Sequence, residues 1–173
     1  MRFKHLVKII LSSCAVFLLA VSGFTGESSK DKGITWVNYD EGLKLANKTD
    51  KLVFIDFYTN WCKFCHKMDR ETFSNQKVID YFNDHFVAVK INAESNVKMT
   101  LPDGEFSGRE ISRQYGVRGY PTYWFLKSDG EKINFTSGYS PPDKFLPLLQ
   151  FVGDKFYENM TFREYLENNS NKE

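Results

Sequence analysis

From residue 34 onward the chain alternates short apolar runs with amphipathic stretches. The strongest run is Lys51 to Tyr58 (KLVFIDFY), apolar or aromatic at nearly every place, the pattern of a central strand covered on both faces. Phe86 to Asn92 (FVAVKIN) predicts the next strand, and Ile34 to Asn38 a short one ahead of both. Thr122 to Lys127 (TYWFLK) and Lys132 to Ser137 flank Ser128-Asp129-Gly130, which predicts a hairpin. Between these lie helical stretches. Tyr39 to Lys48 has Asp40 as its expected N-cap and Leu43 and Leu45 among its apolar positions. A helix should start at Cys62, bend or break near Thr72-Phe73, and resume under a Ser74 cap with Val78, Ile79, Tyr81 and Phe82 as its apolar face. Gly108 to Tyr115 reads as a short helix ended by Gly116. Pro141-Pro142 opens another that runs to Val152 and stops at Gly153, and Thr161 with Glu164 forms a capping box for a last one. Ala93 to Ser107, with Pro102-Asp103-Gly104, reads as a polar loop. The order β-α-β-α-β-α-β-β-α predicts an α/β fold, a central mixed β-sheet flanked by helices on both faces.

The ends follow a different pattern. Arg2, Lys4 and Lys8 are followed by an uncharged stretch from Ile9 to Gly26. Its apolar run, IILSSCAVFLLAV, is shorter than the ~20 residues of a membrane-spanning helix. Ala20-Val21-Ser22 is a small-x-small cleavage site, so residues 1–22 are expected to be a signal peptide, with an uncleaved membrane anchor or lipidation at Cys14 as alternatives. Residues 23–33 form a polar lead-in, 34–153 the domain, and 154–173 a C-terminal extension with a short helix and a polar tail from Asn168.

Composition sharpens this picture in two ways. The 173 residues carry 23 Lys+Arg against 22 Asp+Glu; cleavage removes Arg2, Lys4 and Lys8, leaving 20 against 22, a net charge of −2. That balance offers no electrostatic case for nucleic acid. Of three cysteines, only Cys62 and Cys65 survive cleavage, in a compartment where disulfides persist.

Trp61-Cys62-Lys63-Phe64-Cys65 follows the buried strand and opens a helix. Unpaired backbone N–H groups there, with Lys63, His66 and Lys67 nearby, favour a thiolate at Cys62. Cys65, one turn deeper, is placed to resolve a mixed disulfide formed at Cys62, which is the spacing of thiol–disulfide exchange. Other chemistry fits the same residues. A permanent disulfide here closes too small a loop to stabilise much. A zinc site through Cys62, Cys65 and His66 lacks a second Cys or His pair. Cys62 to His66 also reads as C-x-x-C-H, a c-type haem attachment site, with Met68, Met99 or Met160 as an axial ligand; the strand ahead of it argues against that reading.

Asp56 in the strand, Trp61 to Cys65, and Gly119-Tyr120-Pro121-Thr122 leading into TYWFL stand in the order and spacing of one family. Over residues 34–153 the chain resembles the thioredoxin superfamily, and Trp61 to Ile91 looks closest to its secreted branch, which includes the C-terminal domain of a periplasmic electron-transfer protein. The resemblance implies a thioredoxin fold and a set of roles. Asp56 would be the buried acid that relays a proton for Cys65, and Lys90 its neighbouring lysine. Pro121 would be the cis-proline, the Tyr120 backbone would pair with a substrate segment, and Trp61 would be a platform beside Cys62. It further implies a periplasmic or secreted thiol–disulfide oxidoreductase that reduces protein disulfides, is recharged by a membrane-embedded thiol reductase, needs no bound cofactor and acts as a monomer. An oxidase or isomerase of the same fold, a haem electron carrier and a non-catalytic binding module remain the alternatives. Lys63-Phe64 between the cysteines and the bulky Tyr120 depart from the commonest family pattern; with no His between the cysteines, the reducing direction is expected.

Overall fold

The computed structural model describes residues 33–101 and 103–170; the expected signal peptide, Cys14, most of the lead-in, Pro102 and the last three residues lie outside them. Five strands form one sheet in the order β1-β3-β2-β6-β7. They are β1 (Trp36–Val37), β2 (Leu52–Tyr58), β3 (Phe86–Asn92), β6 (Thr122–Leu126) and β7 (Lys132–Ser137). β1, β3 and β2 run parallel, β6 is antiparallel to β2, and β7 is antiparallel to β6.

Burial on both faces explains why β2 is apolar throughout. Phe54 faces one core with Tyr123 and Phe125 of β6, under Val78 and Phe82 of α3 (Gln76–His85) and Phe145 and Leu149 of α5 (Pro142–Gly153). Val53, Ile55 and Phe57 face the other core, with Tyr39 and Ala46 of α1 (Tyr39–Thr49) and Ile111 of α4 (Gly108–Gln114). Asp56 is the one charged residue in the strand, and its place in the alternation puts it on the Phe54 face.

Several expectations change in detail. β1 is two residues long. Asn38, not Asp40, is the α1 cap residue; Asp40 lies in the first turn and pairs with Lys44 at 3.8 Å. Leu45 is 40% exposed, because α1 meets the sheet through Tyr39, Gly42 and Ala46. At Gly42 a Cβ would stand 2.2 Å from Val89 Cγ2, so the helix sits closer than any side chain permits. After α2 (Lys63–Lys67) the chain makes a π-turn, Met68–Thr72, closed by Phe73 N–H donating to the Met68 carbonyl at 2.9 Å. Asn75 rather than Ser74 caps α3, its Oδ1 accepting the Lys77 and Val78 amides.

The stretch read as a polar loop holds a second sheet, β4 (Lys98–Leu101) against β5 (Gly104–Ser107), whose Met99, Leu101 and Phe106 pack on the α1–α4 core. Ser107 and Glu110 then form a capping box for α4. Thr161 and Glu164 form the expected one for α6 (Phe162–Ser170), which absorbs the first residues of the expected polar tail. Tyr165 of α6 joins the α3–α5 core against Phe151.

Candidate active site

β2 and β3 are parallel, so Tyr58 and Asn92 end at the same edge of the sheet, and the cysteine segment leaves from there. Cys62 and Cys65 form a disulfide and are 3% and 2% exposed. Cys62 caps α2 with its own side chain: Sγ accepts the Cys65 amide at 3.1 Å. An amide aimed at Cys62 Sγ is the kind of donor that favours a thiolate there. The preceding turn is held by Cys62 N–H to the Thr59 carbonyl and by His66 Nε2 at 2.9 Å from the Asn60 carbonyl.

In the strand that leads to the cysteine turn, Asp56 is 2% exposed. Oδ2 lies 3.6 Å from Lys90 Nζ, while Oδ1 has no hydrogen-bond partner. Burial pushes its carboxyl up to about 7; the Lys90 charge opposes the shift, and Asp69 adds to it. Lys90 is shared: its Nζ is 2.6 Å from Asp69 Oδ1 and lies over the rings of Trp36 and Tyr58 at 5.0 and 5.2 Å. Asp69, in the π-turn, was absent from the sequence reading. Its signal is an acid one helical turn past Cys65, but its partner lies 21 residues away. Tyr123, opposite Asp56 in register, buries a phenol without a partner; burial and the two carboxylates raise it.

At the surface, Trp61 is 64% and Phe64 60% exposed. The Trp61 indole donates to Glu94 Oε2 at 3.1 Å and meets the Tyr120 ring edge-on at 5.9 Å. Glu94 is a second residue the sequence reading missed; its amide is held by Asn92 Oδ1, and Asn92 in turn donates to Asn60. The Tyr120–Pro121 peptide is cis, and Pro121 is buried beside the start of β6. Asp56 and Lys90 thus come together with Asp69, while the Trp61 and Tyr120 rings meet beside the cysteine turn.

The rival chemistries find little support among these contacts. Met68 is buried with its Sδ accepting the Ser140 amide, and Met99 and Met160 pack against the two cores. Among the described residues, no group of three or more His, Cys, Asp or Glu is placed to hold a metal. Lys67, expected to add charge near the cysteines, is instead paired with Glu71 at 3.8 Å and lies over Tyr139.

A mixed five-stranded sheet in this order, with a Cys-x-x-Cys turn at the ends of its parallel strands and a cis-proline at the head of the antiparallel one, defines the thioredoxin fold. Residues 39–153 match the thioredoxin-like domain, and the chain belongs to that family. A putative disulphide-isomerase from Bacteroides thetaiotaomicron is 33% identical with a TM-score of 0.56, covering 69% of this chain and 92% of its own. A thioredoxin-fold protein from Helicobacter pylori is 25% identical with a TM-score of 0.60, covering 72% and 88%. The thiol:disulfide interchange protein DsbD of Photorhabdus laumondii is 27% identical over 62% of this chain. The chain spans only 16% to 24% of the length of three curated relatives it matches, that protein among them at 18%.

Proposed function

We infer that the protein is a thiol–disulfide oxidoreductase that reduces disulfides in other proteins. One observation carries this reading: a Cys62–Cys65 disulfide at the start of α2, its first sulfur accepting the Cys65 amide, beside the exposed aromatic surface of Trp61 and Phe64. Asp56, buried in the preceding strand, is pushed up to about 7 by burial with one oxygen unpartnered. A group so poised gives or takes a proton at neutral pH.

In the forward direction the Cys62 thiolate attacks one sulfur of a substrate disulfide, and the other substrate sulfur leaves as a thiolate. Cys65 then loses its proton to the Asp56 carboxylate and attacks Cys62, expelling the second substrate thiolate and closing the Cys62–Cys65 disulfide. Two electrons pass from the dithiol to the substrate. Lys90 tempers the burial of Asp56, the Tyr120 backbone before Pro121 receives the substrate strand, and Trp61 gives it an apolar wall. No bound cofactor enters, and a membrane-embedded thiol reductase restores the dithiol. The basic start and uncharged stretch before residue 27 support export to the periplasm or secretion, with the monomer as the working form. Among the described residues no helix is long and apolar enough to cross a membrane.

The test is insulin reduction by the full chain. Cys62→Ser should abolish turnover, and Cys65→Ala should accumulate a mixed disulfide visible as a mass increase by one insulin molecule, its chains still joined by the second interchain disulfide. Turnover that survives Cys62→Ser would remove the assigned nucleophile. A reduction potential among the strong oxidants would reverse the direction.

A further inference from the structure

The rim of the active site has an electrostatic character that the exchange reaction itself does not require. Residues 33–170 carry 17 Lys+Arg against 19 Asp+Glu, so the body of the domain is slightly acidic. Two cations on the segments that form the rim stand apart from that balance. Lys63, adjacent to Cys62, is exposed, as is Arg118 in the segment leading to Tyr120 and the cis-proline. That segment lies against the cysteine turn, since the Tyr120 and Trp61 rings touch. Among the described residues neither cation has an ion-pair partner, and His66, also exposed, meets only a carbonyl oxygen.

The acids of the same region are already engaged. Glu94 accepts the Trp61 indole, Asp69 holds Lys90, and Glu71 takes Lys67 and the Tyr139 hydroxyl. Asp69 and Glu71 are therefore paired with lysines, whereas Lys63 and Arg118, on the two segments that meet at Trp61 and Tyr120, are exposed with no ion-pair partner among the described residues. Trp61 and Phe64 add exposed apolar surface to the same turn. Complementarity of this kind selects a partner and speeds encounter more than it adds affinity.

We propose that the site selects substrate segments in which the target cysteine is flanked by acidic residues, with Lys63 and Arg118 as the specificity-determining pair. The inference rests on the disulfide-exchange reading given above. Lys63 meets a carboxylate beside the attacked sulfur as the mixed disulfide forms at Cys62. Arg118 meets one on the strand that lies along Tyr120. Two exposed ion pairs of ordinary strength yield a preference of roughly three- to ten-fold. Screening at high salt should erase most of it, because the Debye length shrinks to ~3 Å at 1 M.

The test uses pre-reduced full-length protein in single-turnover mixing with two synthetic disulfide peptides. They are identical except that the cysteines are flanked by Asp in one and by Lys in the other, and each rate is divided by that peptide's rate with a neutral small dithiol. The expected result is a three- to ten-fold ratio in favour of the acidic peptide, falling toward one at 1 M salt and in Lys63→Gln combined with Arg118→Gln. Lys63→Gln also alters the general reactivity of Cys62, but that changes both rates together and leaves the ratio alone. Equal normalised rates in the unmodified protein, or a ratio unmoved by the double substitution, overturn the proposal while leaving the exchange reading intact. No exchange with either peptide removes the exchange reading, and this inference with it.

Discussion

Replacing Asp56 by Asn tests the buried acid through stability as well as through activity. In the folded protein this carboxyl is raised from 3.8 to about 7 by burial, while in the unfolded chain it ionises at its ordinary value. Between those two values the unfolded chain has released a proton that the native state still holds. The stability that this group contributes is therefore whole below about pH 4, declines as pH rises toward 7, and is lost beyond. The gap between the two values amounts to about 4 kcal/mol once the native carboxyl has ionised, of which about 1 kcal/mol is already lost at pH 4.5. Asn removes the titration, and Lys90 keeps Asp69 as its partner at 2.6 Å, so no buried cation is stranded. The variant should be more stable than the parent by about 1 kcal/mol at pH 4.5 and about 4 kcal/mol at pH 8, read from urea unfolding of the oxidised protein at both values. Its insulin-reduction rate should fall over the same range, since Cys65 loses its proton acceptor. A stability difference that does not change with pH would refute the reasoning, because it would mean that Asp56 ionises alike in both states.

Lys90→Gln should move the pH dependence of turnover to higher values, since the lysine charge is what draws Asp56 back toward ionisation; a profile unchanged in position would leave Lys90 a packing residue. Gly42→Ala should destabilise the fold by about 1–3 kcal/mol in urea melts, because the new Cβ meets Val89 Cγ2 at 2.2 Å within a packed core. A neutral outcome would mean that α1 can lift from the sheet at no cost.

Much of this architecture is legible in local pattern. β2 and β3 announce themselves because burial on both faces leaves room for little but apolar side chains, and Asp56 stands out against that background for the same reason. The β6–β7 hairpin and the α6 capping box follow from turn and cap chemistry that acts over three or four residues. What escaped depends on contacts between distant segments. α1 turns Leu45 outward because its approach to the sheet is set by a glycine, which carries no hydrophobic signal. The β4–β5 hairpin has weak alternation in Lys98-Met99-Thr100-Leu101, and polar residues on its outer side make it read as loop. Asp69 and Glu94 gain their roles only when the fold brings Lys90 and Trp61 to them.

The π-turn at Met68–Thr72 has a consequence for how the molecule can vary. An i+5 hydrogen bond inserts one residue into the helical winding, about 100° of rotation, so the turns before and after it are out of phase with one another. Cys65 and Met68 point inward on one phase, and Phe73 returns to the core on the next. The cysteine turn is thus indexed to the sheet by its own buried contacts and not by the helix that follows. A change of pitch in α3 therefore meets this phase break, pinned by Asp69 on Lys90 and Glu71 on Tyr139, before it reaches the reactive sulfurs.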